Sequence, residues 1–227
     1  MYAEIRDGLI EAGQDPSVRV TLLTGTGKYY CSGNDLTSFS KVDLNNLEKF
    51  AKEGGELLKS FVAAFIDHPK TLVAAINGPA VGISVTVLGL CDIVLATDAA
   101  TFHTPFPQTG QSPEGCSTII FPQLMGHVKA AEFLLGRKMT AEEMRERNLV
   151  TEVFPHDKFE SEVEKRLQMF AEQPPQSVLL SKKLRRDVIR ADLHKANAIE
   201  CETLANVWLS EEFMQTIMSF FTRKSKM

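Results

Sequence analysis

The sequence predicts an α/β core followed by an all-helical C-terminal part, folded as one unit. Short apolar or β-branched runs alternate with segments of helical period as far as Phe154, and beyond Pro155 only helical period remains. The 227 residues, 44% of them hydrophobic, contain no repeat and no stretch rich enough in Pro, Gly or Ser to separate domains. That is about as much chain as a single core accommodates. The chain is therefore divided only within one domain, into an α/β core over residues 1–155 and a helical region over residues 156–227.

In chain order, Ile5, Leu9 and Ala12 share one face of a helix over Tyr2 to Ala12, with Glu4, Arg6 and Asp7 outside it. Val18 to Leu23 reads as a strand because β-branched side chains suit a pleated surface, and it ends at Gly25-Thr26-Gly27. A polar loop passes through Ser32-Gly33-Asn34-Asp35. From Asp43 to Ile66, Leu44, Leu47, Ala51, Leu58, Phe61, Val62 and Phe65 keep a helical period, and Gly54-Gly55 predict a weak point or kink. Thr71 to Ile76 is an apolar strand, and Asn77-Gly78-Pro79 turns the chain into a helical run over Gly82 to Leu90. Strands at Asp92 to Ala96 and Thr101 to His103 precede a proline-bearing loop, Thr104 to Gly115. Thr140 and Glu143 have the spacing of a capping box, and Leu149 to Phe154 is the last strand. Helices are expected over Asp157 to Glu172, Gln176 to Arg190, Leu193 to Leu209 and Ser210 to Thr222, with Pro174-Pro175 between the first two. Phe213, Ile217, Met218, Phe220 and Phe221 give the last helices more apolar surface than a small core absorbs, which predicts a subunit interface.

Several functions are disfavoured. A net charge of −4 gives no basic footprint for nucleic acid. No apolar run approaches the roughly 18 residues of a membrane span. Cys31, Cys91, Cys116 and Cys201 are scattered, as are His68, His103, His127, His156 and His194, so neither a disulfide framework nor a metal site is expected. Gly25-Thr26-Gly27-Lys28 lacks the full phosphate-loop pattern, and Gly82-Ile83-Ser84-Val85-Thr86 lacks the last glycine of a nucleophile elbow.

Two turns and one acid remain. Ser32 to Leu36 follows the first strand, and Gly78 to Ile83 leads into a helix, where glycines permit close approach and free N–H groups are available. Converging, they would aim two amides at one carbonyl oxygen; apart, they are ordinary tight turns. Glu114 lies among small residues in Gly110-Gln111-Ser112-Pro113-Glu114-Gly115-Cys116-Ser117. It reads either as a desolvated base or as a glutamate at a helix start, and composition does not choose. The tail Ser225-Lys226-Met227 is a close variant of a peroxisomal address, or a plain basic end.

The order Ser32-Gly33-Asn34-Asp35-Leu36, Asn77-Gly78-Pro79-Ala80-Val81-Gly82, Cys91-Asp92-Ile93 resembles the enoyl-CoA hydratase/isomerase (crotonase) superfamily over the whole chain. Thr101-Phe102-His103-Thr104-Pro105-Phe106 and Gly110 to Cys116 are similar to its peroxisomal Δ3,Δ2-enoyl-CoA isomerase branch. The resemblance implies a crotonase-like spiral of ββα turns with a helical C-terminal trimerisation region, hence a homotrimer. It implies an oxyanion hole from the backbone amides of Ser32 and Ile83, and Glu114 as the single catalytic glutamate. Gly33, Asn34, Asp35, Leu36, Gly82 and Phe106 would complete the substrate site, with no metal and no cofactor beyond the coenzyme A of the substrate itself.

The two catalytic glutamates of hydratases fall by this resemblance on Thr86 and Phe106, which disfavours water addition. The implied reaction is the shift of a 3-enoyl-CoA double bond to trans-2-enoyl-CoA in β-oxidation, in the peroxisome with the mitochondrion as a second compartment. Family members usually carry a further strand pair ahead of the helix opening at Tyr2, a segment that helps hold coenzyme A. For a chain starting after it, weaker thioester binding is expected. The rival readings are a non-catalytic acyl-CoA-binding or assembly module of the chromodomain Y-like type, and a hydratase or thioesterase.

Overall fold

Four parallel strands carry the fold in the computed structural model, which describes residues 1–37 and 46–224. β1 (Val20–Thr24), β2 (Thr71–Ile76), β4 (Ile93–Thr97) and β7 (Glu152–Phe154) lie side by side in that order. Val20 is in register with Thr71, Val73 with Ile93 and Leu95 with Glu152. A smaller sheet joins β3 (Ala80–Val81) in parallel to β5 (Thr101–His103), and β5 antiparallel to β6 (Met139–Thr140).

β2 reads as a continuous apolar run because both faces of its sheet are covered. Leu72, Ala74 and Ile76 point into the main core, while Val73 and Ala75 point the other way. On that second face they meet Leu95, Phe154 and two residues of helix α7 (Phe159–Ala171), Phe159 and Val163. The main core is closed by α1 (Tyr2–Gln14), α2 (Leu47–Asp67) and the long α8 (Pro175–Trp208), so it extends well past residue 155. Between β3 and β4 the chain makes one α-turn, α3 (Ile83–Thr86), and then a 3₁₀ turn over Val87–Leu90. α4 (Ser117–Met125), α5 (His127–Leu134) and α6 (Ala141–Arg145) follow, and α9 (Glu211–Lys224) ends the described chain. Thr140 and Glu143 make the capping box read from their spacing.

The structure corrects four expectations. Gln176–Arg190 and Leu193–Leu209 belong to one 34-residue helix, because no Gly or Pro interrupts the chain between Gln176 and Trp208. Gly54 and Gly55 do not break α2; they let α8 come close. A Cβ on Gly54 would sit 3.0 Å from the Trp208 ring, and one on Gly55 3.3 Å from the Ala205 methyl. The helical run expected over Gly82 to Leu90 is an α-turn tightened into 3₁₀. Finally, Phe213 and Ile217 are buried in the chain's own core, α9 folding back over the 3₁₀ turn Pro107–Thr109, whereas Met218 is 68% exposed. Asp43, Leu44, the tail Ser225-Lys226-Met227 and the side chains of Phe220 and Phe221 lie outside what the structure describes.

One buried ion pair locks α8 to the sheet. Lys182 Nζ reaches Asp92 Oδ2 at 2.6 Å and the Lys70 carbonyl at 2.6 Å, while the Leu72 amide donates to the same Asp92 oxygen at 2.9 Å. Both side chains are nearly inaccessible, and removing Lys182 leaves buried Asp92 with only the exposed Arg185 guanidinium, at 3.3 Å, as a charged partner. Lys182→Met is expected to lose about 3–5 kcal/mol of stability, measured as a fall in the urea unfolding midpoint.

Candidate active site

The two glycine-bearing turns are stitched together by backbone hydrogen bonds. Cys31 bridges to Ala80 as an isolated parallel pair, with its N–H donating to the Pro79 carbonyl at 3.3 Å. The Val81 N–H returns to the Cys31 carbonyl at 3.0 Å, and the Gly82 N–H donates to His103 at 2.8 Å. Gly82 adopts φ +65° and ψ −129°, a conformation suited to glycine, and this reverses the chain just before α3 begins. The Ile83 N–H is therefore a first-turn amide with no intrahelical acceptor. Among the described residues, neither it nor the Ser32 N–H has a hydrogen-bond partner. Ser32 and Ile83 line the same cavity, of about 510 Å³.

Glu114 lies in the wall of that cavity, 4% exposed. Thr86 Oγ1 approaches its two carboxylate oxygens at 3.1 and 3.2 Å and the Ile83 carbonyl at 3.1 Å. A hydroxyl has one proton to give, so it serves the carboxylate when Glu114 is ionised and the carbonyl when Glu114 is protonated. Burial is the main reason the Glu114 carboxyl is held well above the ordinary glutamate range, and the charge of Glu200 adds to it, against the Thr86 hydrogen bond. The turn after the base is tight. Gly115 has φ +70°, and a Cβ there would lie 2.5 Å from Thr86 Oγ1. Cys116 follows at φ +60°, a left-handed conformation unusual for a residue with a side chain.

Every residue that the sequence singled out for this site lines the cavity: Ser32, Gly33, Asn34, Asp35, Leu36, Gly82, Ile83, Phe106 and Glu114. The Asp35 carboxylate accepts from the Thr37 N–H at 2.9 Å and its hydroxyl at 2.7 Å. Sequence reasoning missed Tyr2, Leu58, Leu204 and Trp208, which α1, α2 and α8 bring to the cavity from distant positions, and it missed Glu200 behind the base. No local signal marks them, because each sits where a helix would ordinarily place a packing residue. Tyr2 is held by stacking on Phe61, ring centroids 4.8 Å apart, and burial with Glu114 nearby raises its phenol. His103 Nε2 lies 3.0 Å from the Gly136 carbonyl, and burial lowers its pKa, which favours the neutral, donating ring. Among the described residues no group of three His, Cys, Asp or Glu is placed to hold a metal ion, and no helix is long and apolar enough to cross a membrane.

Comparison with solved structures defines the fold. The chain superposes on the crystal structure of an enoyl-CoA hydratase/isomerase from Pseudoalteromonas atlantica T6c with a TM-score of 0.87 and 31% identity, covering 98% of this chain and 86% of that one. The α/β spiral with its C-terminal helices is thus the crotonase fold. The sequence model of the enoyl-CoA hydratase/isomerase family matches residues 1–226, and the chain belongs to that family. It is 51% identical over 228 residues to human enoyl-CoA delta isomerase 2, covering all of this chain and 58% of that protein. It is 46% identical over 227 residues to mouse peroxisomal enoyl-CoA delta isomerase 3, covering all of this chain and 71% of that protein. The chain therefore spans little more than half the length of the first of these relatives.

A buried carboxyl whose proton is held more tightly in the fold than in the unfolded chain contributes stability below the ordinary glutamate pKa, and loses it as pH rises through the folded value. Glu114→Gln removes that loss. The variant is expected to melt higher than the parent at pH 8, by about 2–4 °C per kcal/mol, and with a smaller difference at pH 5, followed by calorimetry at both values.

Proposed function

We propose that the chain is a Δ3,Δ2-enoyl-CoA isomerase in which Glu114 carries one proton from C2 to C4 of a 3-enoyl thioester. The observation that supports this most is that one desolvated carboxylate and two residues with unpartnered amides line one cavity. Among the described residues lining that cavity the other carboxylate is Asp35, already occupied by Thr37. With the thioester oxygen on the Ser32 and Ile83 amides, ionised Glu114 takes a proton from C2, where thioester and alkene both acidify it. The C2–H electron pair delocalises through the alkene into a dienolate, whose oxygen gathers charge at the two donors. Protonated Glu114 then delivers the same proton to C4, the double bond settles between C2 and C3, and the carbonyl re-forms. Nothing is added or lost, so one base suffices and no cofactor is needed. Gly33, Asn34, Leu36, Gly82 and Phe106 shape the substrate's surroundings.

Thr86 occupies a position where a hydratase needs an acid or base. Its hydroxyl does not ionise near neutral pH and already has acceptors in Ile83 and Glu114, so water activation has no agent there. The pathway reading, unsaturated fatty-acid β-oxidation, follows from the relatives' activity. The peroxisomal compartment, with the mitochondrion as a second one, rests on Ser225-Lys226-Met227, which the import receptor would bind, and on the mouse relative's name.

A homotrimer is the proposed assembly. α8 presents Leu180, Leu184 and Val188 at four-residue spacing on one stripe, 58, 72 and 81% exposed. Apolar side chains so aligned on a helix otherwise dependent on its buried side favour contact with another subunit.

The first test follows 3-hexenoyl-CoA by absorbance of the conjugated thioester that forms. Glu114→Gln should lose roughly 100- to 10,000-fold in kcat, and the parent protein should not consume 2-hexenoyl-CoA by hydration. Retained turnover in the variant would remove Glu114 from the mechanism, and a flat trace with coenzyme A still bound would favour the non-catalytic chromodomain Y-like type of module. For the assembly, Leu184→Asp should shift the sedimenting species from trimer to monomer, and an unchanged trimer would place the interface elsewhere.

A further inference from the structure

We propose that Glu200 is a positioning residue for the proton shuttle: from α8 its carboxylate grips the turn that carries Glu114 and keeps a second negative charge behind it. This rests on the reading of Glu114 as the base and adds a residue 84 positions from the turn it holds.

The geometry is that of a helix cap supplied from another helix. α4 begins at Ser117 with Cys116 at its N-cap, and the Cys116 side chain makes no capping hydrogen bond. Glu200, 5% exposed, takes over that task. Its Oε2 accepts from the Cys116 N–H at 2.7 Å, and its Oε1 accepts from the Thr118 N–H at 3.1 Å and from the Thr118 hydroxyl. Burial raises the Glu200 carboxyl above the ordinary glutamate range, but these donors, with the positive end of the helix behind them, oppose that rise. Glu114 receives a single hydroxyl and is raised further, so of the two Glu200 ionises first.

Two features distinguish this from ordinary capping. First, the gripped turn is strained: Gly115 and Cys116 are both left-handed, and Glu114 is the residue immediately before them. Held in place, the strain fixes where the Glu114 carboxylate points; released, it lets the base swing. Second, a neutral hydroxyl or amide would cap α4 without repelling the base, so a buried anion here has an unfavourable side that capping alone does not explain.

The groups around this corner come from several elements. Thr86 on α3 touches Glu114, the Glu114 charge raises Tyr2 on α1 and Cys116 and Cys201 near Glu200, and His103 lies on the cavity wall. Lys59 and Glu56 on α2 are felt at Cys201, and Arg186 at Cys116. The charge that acts on Glu114 directly is that of Glu200, which pushes its proton affinity up in the same direction as burial.

The experiment compares the parent chain with Glu200→Gln and Glu200→Asp. Turnover of 3-hexenoyl-CoA across pH is one readout, and ¹³C NMR titration of the Glu114 carboxyl, assigned with Glu114→Gln, is the other. Glu200→Gln removes the charge and is expected to lower kcat by about 10- to 100-fold with KM little changed, and to move both the acid limb of kcat/KM and the Glu114 titration to lower pH. Glu200→Asp keeps the charge with a shorter reach. Its Glu114 titration should stay at the parent position while kcat falls. A Glu200→Gln protein that melts lower, yet superimposes on the parent in pH profile and Glu114 titration, would make Glu200 a structural cap only and overturn the proposal. If Glu200→Gln does not fold, parental kcat in Glu200→Asp overturns it. The NMR titration needs no turnover, so it decides the matter even where the isomerase reading itself fails.

Discussion

Glu114 is a carboxylate in a dry wall, with a hydroxyl for company and a second carboxylate behind it, and the surrounding fold is organised by that constraint. A buried carboxyl relieves its desolvation by holding its proton, and the same tightened grip makes it a stronger base once the proton is gone. Keeping it dry takes four elements. Tyr2 lines the same cavity from α1, Thr86 meets Glu114 from α3, the Gly115-Cys116 turn fixes its backbone, and α8 supplies Glu200, Leu204 and Trp208. α8 can reach so far in because Gly54 and Gly55 remove the side chains that would hold α2 and α8 apart.

How much of this was legible follows from the range of each interaction. The strands were readable because short apolar and β-branched runs are a local signal, and β2 needs only its six residues to announce itself. The capping box was readable because both partners lie within one turn. The two glycine-bearing turns and Glu114 were visible as local patterns, but composition left them as ordinary turns or a helix-start glutamate; the family resemblance chose the site residues, and those residues line one cavity.

The helical character of α8 was legible, but its continuity and its buried side were not, because much of its pattern is inverted. Lys182, Arg186, Asn197 and Glu200 are buried, while Leu180, Leu184, Val188 and Ile199 are exposed. Each buried polar group answers a partner remote in sequence: Lys182 answers Asp92, Arg186 the Leu90 carbonyl, Asn197 the Lys59 carbonyl and Glu200 the Cys116 and Thr118 amides. A reading of apolar periodicity sees none of these, and it places Glu200 on the outside of the helix. The splitting of α8 into two expected helices has the same origin, since its buried side is not continuously apolar. The polar interior of α8 aligns the helix, which at one end anchors it to the sheet and at the other brings Glu200 to the active turn.

That alignment bears on why the proposed mechanism moves a proton instead of adding water. Hydration requires one group to activate a water molecule while another protonates carbon, so two ionisable side chains must face the same substrate carbons. Here the second carboxylate is on the far side of the Cys116 turn, saturated by the amides and hydroxyl it caps, and the neighbour that meets Glu114 within the cavity wall is Thr86. In the proposed mechanism the Thr86 hydroxyl, within hydrogen-bond reach of both the base and the Ile83 carbonyl, can serve Glu114 when it is charged and the carbonyl when it is not. The negative charge that a hydratase would spend on its second reacting group is, in the proposed mechanism, placed behind the first, where it strengthens one base instead of supplying two.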